Sequence, residues 1–538
     1  MRALPFLISP AARRLGLSFL LGVYLIVGSI ASLKTGLIID DPTEQQTFRK
    51  VSVAAKSFII GHVDEFKQLQ SYDQRYYGVG FYAFAYPFQA LVRPYVARTF
   101  NIDDETALLL ARRPVVFLLF VVSIVFFYRC ARFFIRERWI AIANTAAYAT
   151  YPYLFGHAMI NIKDSPFMSV YVICTYLSLR LVKRRLRKSA GSVRVDLLGL
   201  AFATAALVSI RIPGVMILVQ YAFTFGMADH VKLAGGEASV QLLRYQNLLL
   251  FSAVLGPLVI LVYPALWANP LHEIVAALKW MGLAEQPGCT LTWGQCMKPH
   301  ATPAYLFGWL VVKLPALILI SILFLPFTLK KVVREPFQRV AYLTLLFGSL
   351  YVLIAIMAMR ARLYDETRHL LFIYPFLFLI GPIAIYFWSR KLALIAASLS
   401  VAIFVCDQVQ LAPYQYVYFN EFARFLDVDK LFETDYWGTS GREHTQLLAN
   451  DVRSSKTLAC LYADPWILYR PFIDSRVCVE SLDLLNEYPP NNGFVVAITC
   501  SPNRLTVPLN CRQLSAITRT LRPSTRKITM SVAYYCIQ

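Results

Sequence analysis

Long apolar runs dominate the first three quarters of this 538-residue chain. Runs of roughly 15 to 25 residues recur from Leu15 to Cys406, and about 20 apolar residues in a helix cross the hydrocarbon core of a bilayer. A water-soluble core of this size would not need so many uninterrupted runs. The sequence therefore predicts an α-helical polytopic membrane protein.

Lysine and arginine residues fall in short clusters between these runs and give the chain a net charge of +21. Loops on the cytoplasmic side of a membrane are enriched in these residues, so the clusters mark cytoplasmic loops. Nucleic-acid binding is the weaker interpretation, because the apolar runs separate the clusters. The predicted cytoplasmic segments are the N-terminal tail and residues 129–138, 183–194, 229–246, 330–339 and 389–391.

Eleven membrane spans fit this charge pattern. The first is long enough to cross and no clear cleavage site follows it, so we predict a retained helix rather than a signal peptide. An odd number of spans places the end of the chain outside. The spans are predicted at residues 15–33, 114–131, 139–156, 166–182, 197–211, 213–228, 247–267, 305–329, 340–358, 370–388 and 392–406.

The apolar stretch at residues 78–97 is not counted as a span. Counting it would reverse every later loop and place the clusters "KRRLRK" and "KKVVR" outside. It also contains Pro87, Arg93 and Pro94, which suit a helix that lies in the outer interface. Residues 34–113 are therefore predicted to form one long outer loop with juxtamembrane helices.

The composition changes after Cys406, where charged residues, Pro and Asn return. Short β-like runs occur at "KTLACLY", "GFVVAIT" and "ITMSVAYYCIQ", beside a helical pattern around residues 440–452. Residues 1–406 are predicted to form a transmembrane module and residues 407–538 an extracytoplasmic α/β domain. Within this domain the polar stretch "DYWGTSGREH", residues 435–444, has no chemistry that its spacing indicates, and a structural role is favoured.

Cysteines are concentrated in the predicted outer regions. In an oxidising compartment such cysteines favour disulfides, and Cys289 with Cys296 forms a candidate local bridge. The odd number in the tail leaves one without a partner there, and the pairing of the others stays open. A metal site is the weaker interpretation, because no CxxC or close Cys/His spacing occurs. The tail cysteines are Cys460, Cys478, Cys500, Cys511 and Cys536.

Ionisable residues gather where the predicted spans meet the outer surface. Asp40 and Asp41 follow the first span directly. Lys313 lies inside an apolar run, about 12 Å from Tyr305 along a helix, and an ionisable group within a span indicates function. The other candidates lie in outer turns: His157, Lys163 and Asp164 in the second outer loop, Arg211 at a helix hairpin, and Asp365, Glu366, Arg368 and His369 at the mouth of the tenth span.

Carboxylates beside cations at the edge of the acyl region suit a lipid-linked phosphate. Cations would bind the phosphate, and a carboxylate would accept a proton from an incoming hydroxyl or amine. Each residue alone has a simpler interpretation, such as a solvated loop carboxylate or an arginine that extends to a lipid headgroup. Their convergence on one face of the membrane favours a site. The candidate phosphate ligands are Arg211, Lys313, Arg368 and His369.

Several short motifs resemble one family of membrane enzymes. These are the Asp-Asp pair after the first span, "LLLARRPVVFLLFVVSIVFFYRCARFF", "YPYLFGHAMINIKDSPFMSVYV", "YLFGWLVVKLP" and "TRHLLFIYP". Over roughly residues 15 to 390 the chain resembles the integral-membrane glycosyltransferases of the C superclass. It is most similar to the branch that holds protein O-mannosyltransferases and the lipid A aminoarabinose transferases.

The resemblance implies an inverting transfer of sugar from a polyprenyl phosphate to an acceptor glycan, lipid or protein, on the outer face of a bacterial inner membrane. It implies that Asp40 is the general base and Asp41 its acidic neighbour, with Asp164 as the acid of the second outer loop and Arg368 as the arginine of the late motif. Two positions depart from the family pattern: Asp41, where Glu is frequent, and His369, where Tyr is common.

Other classes of function fit the sequence less well. An ATP-driven pump is disfavoured because the sequence has no GxxxxGK[ST] motif. A secondary transporter or flippase of a lipid-linked or anionic solute is the main alternative, although transporters usually carry repeats and bind at the bilayer midplane. An acyl or phosphoethanolamine transferase would need a nucleophile or metal cluster. A divalent cation remains compatible with the acids, and the sugar and the acceptor stay open.

The predicted topology is testable with reporter fusions. A reporter fused after residue 110 is expected outside, and one fused after residue 186 in the cytoplasm, because residues 78–97 do not cross. Accessibility to a membrane-impermeant label distinguishes the two sides. A cytoplasmic reporter after residue 110 would show that residues 78–97 cross the membrane.

Overall fold

The computed structural model describes residues 10–187, 192–231, 241–283, 288–298, 300, 302–454, 460–473, 477–487, 494–499 and 510–536. Helices form most of it. The first twelve are α1 (Pro10–Lys34), α2 (Asp40–Ile59), α3 (Asp64–Gln70), α4 (Gly80–Phe100), α5 (Asp104–Ala111), α6 (Arg113–Ala131), α7 (Arg138–Thr150), α8 (Pro152–Ile160), α9 (Asp164–Leu186), α10 (Val193–Ile210), α11 (Ile217–His230) and α12 (Tyr245–Val262). They are followed by α13 (Pro270–Leu283), α14 (Pro303–Lys313), α15 (Ala316–Ser321), α16 (Leu325–Val332), α17 (Pro336–Ala358), α18 (Tyr374–Trp388), α19 (Arg390–Leu411), α20 (Val428–Leu431), α21 (Gly441–Ser454) and α22 (Leu484–Glu487).

The predicted polytopic helical fold is confirmed. In the described part of the chain, nine helical segments are long and apolar enough to cross a membrane. A tenth candidate is α14 with the stretch Ala316–Val332, which meet at an angle of 110°. Pro315 lies at this bend, and a proline disfavours helix at the residue before it. The remaining predicted span, residues 139–156, consists of α7 and α8, because Pro152 starts a new helix.

Two helices form the centre of the bundle. The apolar stretches of α9 and α18 are 78% and 89% buried, whereas those of α1 and α12 lie at the periphery and are 11% and 6% buried. The site described below lies where α9 begins and where a 3₁₀ turn, Arg368–Ile373, leads into α18.

The helix α4 covers the stretch that the sequence analysis left outside the membrane. It contains Pro87 and Pro94, packs against α5, and is not among the candidate spans of the described residues. Its position relative to a membrane remains a prediction.

The strands confirm the predicted β content of the tail. They are β1 (Thr290–Thr292), β2 (Gln295–Met297), β3 (Leu461–Asp464), β4 (Val479–Ser481), β5 (Phe494–Ile498), β6 (Cys511–Thr520) and β7 (Lys527–Cys536). The last five form a mixed sheet in the order β4-β3-β5-β7-β6. In this sheet β3 is parallel to β4 and β5, and β7 is antiparallel to β5 and β6.

Disulfides join neighbouring strands of both sheets. The predicted bridge between Cys289 and Cys296 is present and closes the β1–β2 hairpin. The hairpin turns at Trp293 and Gly294, which both have positive φ, as a two-residue turn of this kind requires. In the tail, bridges join two cysteine pairs, and Cys500 lies outside the described residues. These tail bridges are Cys460–Cys478 and Cys511–Cys536.

Candidate active site

Arg368 lies at the centre of a cluster of carboxylates. Its guanidinium contacts Asp365 at 2.9 Å, Asp40 at 3.3 Å and Asp164 at 3.6 Å. The three acids come from three separate segments: the start of α2, the start of α9 and the loop before the 3₁₀ turn. A single arginine can bridge them because its planar group presents five N–H donors. Three predicted site residues, Asp40, Asp164 and Arg368, therefore meet.

Asp164 connects this cluster to Arg211. Its second oxygen forms an ion pair with the Arg211 guanidinium. Asn161 fixes the carboxylate: its side-chain nitrogen donates to Asp164 Oδ2 at 3.1 Å, and its side-chain oxygen accepts from the backbone N–H of Lys163 and Asp164. The sequence "NIKD" thus forms a turn that presents Asp164 at the start of α9.

Lys163 forms a neighbouring ion pair with Glu44 on α2. Its ammonium group also lies 3.5 Å from the centre of the Tyr77 ring. Burial lowers the pKa of Lys163 to about 8, against the opposing effect of Glu44. Tyr77 can reach this position because Gly78 packs against the backbone of Ile210, where any side chain would clash.

A cavity of about 440 Å³ opens beside Arg211. Its walls are largely apolar and include Trp280, Ile356 and Phe372. The residues with polar side-chain groups on its lining include Tyr76, Tyr77, Arg211, Arg362, Tyr364 and His369. Two of the predicted phosphate ligands, Arg211 and His369, thus line one apolar cavity.

Asp40 and Asp41 occupy opposite environments although they are adjacent. The Asp41 side chain is fully buried and contacts Arg113 at 2.9 Å and Arg112 at 3.4 Å. It also accepts the backbone N–H of Ile38 at 3.0 Å. The Asp40 side chain is 35% exposed and faces Arg368. Both are at the start of α2, where negative charge is favourable. Asp40 is thus the one open to a substrate.

Lys313 lies away from the cavity lining. Its ammonium group is fully buried and contacts Glu366 Oε1 at 2.7 Å, in an aromatic surrounding that includes Phe419 at 4.2 Å. The structure therefore places this predicted phosphate ligand in a buried ion pair. Burial raises the pKa of Glu366 to about 7, although Lys313 opposes the shift.

The loop that carries Asp365 and Glu366 has an uncommon backbone conformation. Both residues have positive φ, 53° and 64°, which non-glycine residues rarely adopt. Such conformations persist where the surroundings enforce them, and they concentrate at functional sites. Here Arg368 holds Asp365 and Lys313 holds Glu366. Burial raises the pKa of Asp365 to about 7.

Some residues of the cluster were not among the sequence-based candidates. Glu44 gave no signal because it resembles a solvated loop residue. Arg112 and Arg113 gave one, since two adjacent arginines directly precede an apolar run. His157 and Lys163 were predicted, and His157 contacts the cluster through Asn161, whose side-chain nitrogen lies 3.1 Å from its Nδ1.

A metal ion has no ready ligand set in this cluster. Among the described residues, no three His, Cys, Asp or Glu side chains come together closely enough to bind one. Each carboxylate described here already faces a cation.

The buried pair predicts a stability effect for Lys313. Replacing it with Met leaves Glu366 buried without its cation, which typically costs about 3–5 kcal/mol. We expect Lys313→Met to lower the unfolding temperature in detergent and Lys313→Met/Glu366→Gln to recover most of the loss. A single variant with unchanged stability and weaker binding of a polyprenyl phosphate would instead make Lys313 a phosphate ligand.

Comparisons with known proteins add one structural likeness. No family model and no curated protein matches the sequence. The path of the chain is similar to that of ArnT from Cupriavidus metallidurans, solved bound to undecaprenyl phosphate, with 12% identity and a TM-score of 0.44. The match covers 96% of this chain and 98% of that one. ArnT is of the branch that the sequence motifs resemble.

Proposed function

We propose that this protein is an inverting glycosyltransferase that moves a sugar from a polyprenyl phosphate to an acceptor hydroxyl. The observation that carries the proposal is a continuous line of ion pairs. It runs from Arg211 on the cavity wall through Asp164 and Arg368 to the accessible carboxylate of Asp40. A cation beside an apolar cavity and a base are thus connected in one site.

The cavity fits the lipid end of such a donor. Its apolar walls would take the first isoprene units, since apolar surface gains from leaving water. Its polar end presents the Arg211 guanidinium, and arginine binds phosphate through paired N–H donors. Arg211 is partly exposed, so a phosphate can approach it while Asp164 orients it.

The reaction is then a single displacement. The acceptor oxygen attacks the anomeric carbon of the sugar, its proton passes to the Asp40 carboxylate, and the bond from that carbon to the phosphate oxygen breaks. Polyprenyl phosphate leaves with the bonding electrons, and one displacement inverts the configuration at the carbon. Cations fixed beside the departing oxygen stabilise its growing charge, which is the work we assign to Arg211 and Lys163.

The remaining charged residues position these groups. Arg368 contacts Asp40 and would hold the carboxylate toward the acceptor. Lys313 and Glu366 would fix the loop that presents Asp365 and Arg368. Asp41 with Arg112 and Arg113 would anchor the first turn of α2 to the start of α6.

Asp40→Asn is expected to lower single-turnover transfer by about 10²–10⁴-fold, because Asn cannot accept the proton. Binding of undecaprenyl phosphate should stay within about twofold, since Asp40 does not line the cavity. Asp41→Asn is the matched comparison and should instead lower the unfolding temperature, because Arg112 and Arg113 lose a buried anion. Transfer by Asp40→Asn within tenfold of the wild type would remove Asp40 as the base. Absence of transfer by the wild-type protein, with binding of the lipid intact, would favour the transporter alternative.

Arg211→Gln is expected to weaken binding of undecaprenyl phosphate by about tenfold or more, because a charge-assisted hydrogen bond contributes roughly 1.5–3 kcal/mol. Arg49→Gln is the control, since Arg49 belongs to an exposed ion pair with Glu105. Binding can be measured by titration of the detergent-solubilised protein. Equal affinities of the two variants would contradict a phosphate site at Arg211.

A further inference from the structure

The polar segment at residues 435–444 covers the loop that presents Asp40. The carbonyl oxygen of Trp437 accepts the backbone N–H of Ile39 at 3.3 Å. On the same loop Gly36 packs against the carbonyl of Thr439, where a side chain would clash. The segment that showed no chemistry in the sequence therefore contacts the backbone directly before Asp40.

A buried aspartate fixes the shape of this segment. Asp435 accepts the backbone N–H groups of Thr439 and Ser440, each at 3.0 Å, and the hydroxyl of Tyr416. These contacts close the turn that follows Tyr436 and Trp437. The two aromatic side chains are therefore presented by a backbone that has little freedom.

Both aromatic side chains face the Arg368 cluster. The Trp437 ring lies 5.1 Å from the Arg368 guanidinium carbon and 5.4 Å from the His157 ring. The Tyr436 ring packs against the Trp437 ring, with 4.9 Å between their centroids. Residues from the tail and from the membrane module thus surround the same guanidinium.

Three polar atoms in this place have no hydrogen-bond partner within the described residues: Tyr436 Oη, Trp437 Nε1 and His157 Nε2. Their residues are 4%, 1% and 0% exposed. Leaving such groups unpaired costs stability, so native proteins keep few of them, and function is one reason for those that remain.

The three atoms share donor character. Asn161 uses its side-chain oxygen for the backbone N–H groups of Lys163 and Asp164, so its side-chain N–H points at His157 Nδ1. Nδ1 must then accept, and the neutral ring carries its proton on Nε2. Indole N–H groups only donate, and a phenol also donates. Three donors in one place suit a ligand rich in oxygen acceptors.

We propose that Tyr436, Trp437 and His157 bind the hydroxyl groups of the sugar that is transferred and hold its anomeric carbon in front of Asp40. This inference rests on the proposed function and adds the sugar-binding residues, two of which come from the C-terminal domain. The domain thereby completes the site and contributes to the choice of sugar.

Tyr436→Phe and Trp437→Phe test this assignment in the full-length protein. The probes are sugar-free undecaprenyl phosphate, for binding, and undecaprenyl phosphate carrying glucose, mannose or arabinose, for transfer. With the best sugar donor we expect each variant to raise KM about three- to tenfold, the effect of one lost hydrogen bond. Binding of the sugar-free probe should not change. Thermal stability should be unchanged or higher for Tyr436→Phe, because an unpaired buried hydroxyl is removed.

Tyr386→Phe is the matched control, since the Tyr386 hydroxyl donates to Glu137 at 2.5 Å, away from the cluster. It should lower stability and leave KM unchanged. An unchanged KM in both Tyr436→Phe and Trp437→Phe would overturn the sugar assignment. Transfer by the wild-type protein in the same assay would still support the proposed function. An equal loss of affinity for the sugar-free probe would also overturn the sugar assignment, since Tyr436 and Trp437 would then act on the phosphate. A wild-type protein that binds no probe would overturn both proposals.

Discussion

The partly enclosed guanidinium of Arg368 is the interaction on which the site depends. It lies among Asp40, Asp164 and Asp365, which would repel one another without it. Unpaired charges inside a protein are costly, so the three segments that carry these acids can approach only because a cation sits between them. The start of α2, the start of α9 and the loop before α18 are thereby brought to one point. The cavity wall joins this point through Arg211.

The two aspartates at residues 40 and 41 show how a shared position can lead to different roles. Asp41 is enclosed by Arg112 and Arg113, so these two arginines neutralise its charge and a substrate cannot reach its carboxylate. Asp40 has one arginine contact and open surface. A general base needs both an orienting partner and room for the acceptor. In chemical terms the exposed aspartate suits catalysis and the buried one suits anchoring.

Much of this arrangement could be predicted from the sequence, because apolar run length and charge clusters report directly on membrane helices. The spans, the tail sheet and the Cys289–Cys296 bridge follow from local patterns. Contacts between residues that are distant in the sequence do not follow from local patterns. Lys313 looked like a phosphate ligand because its burial was visible in the sequence, whereas its pairing with Glu366 was not. Glu44 and Tyr436 gave no signal, since their roles depend on contacts that only folding creates.

Unpaired polar atoms are concentrated around Arg368, and this concentration is itself informative. A fold selected only for stability would pair these groups or replace them with apolar ones. Here Tyr436, Trp437 and His157 remain unpaired beside the ion pairs of Arg368. Buried donors without partners lower the stability of the fold, and a ligand that accepts hydrogen bonds from them recovers that free energy. The rigid turn at Asp435 maintains that arrangement, which links the tail domain to the chemistry of the membrane module.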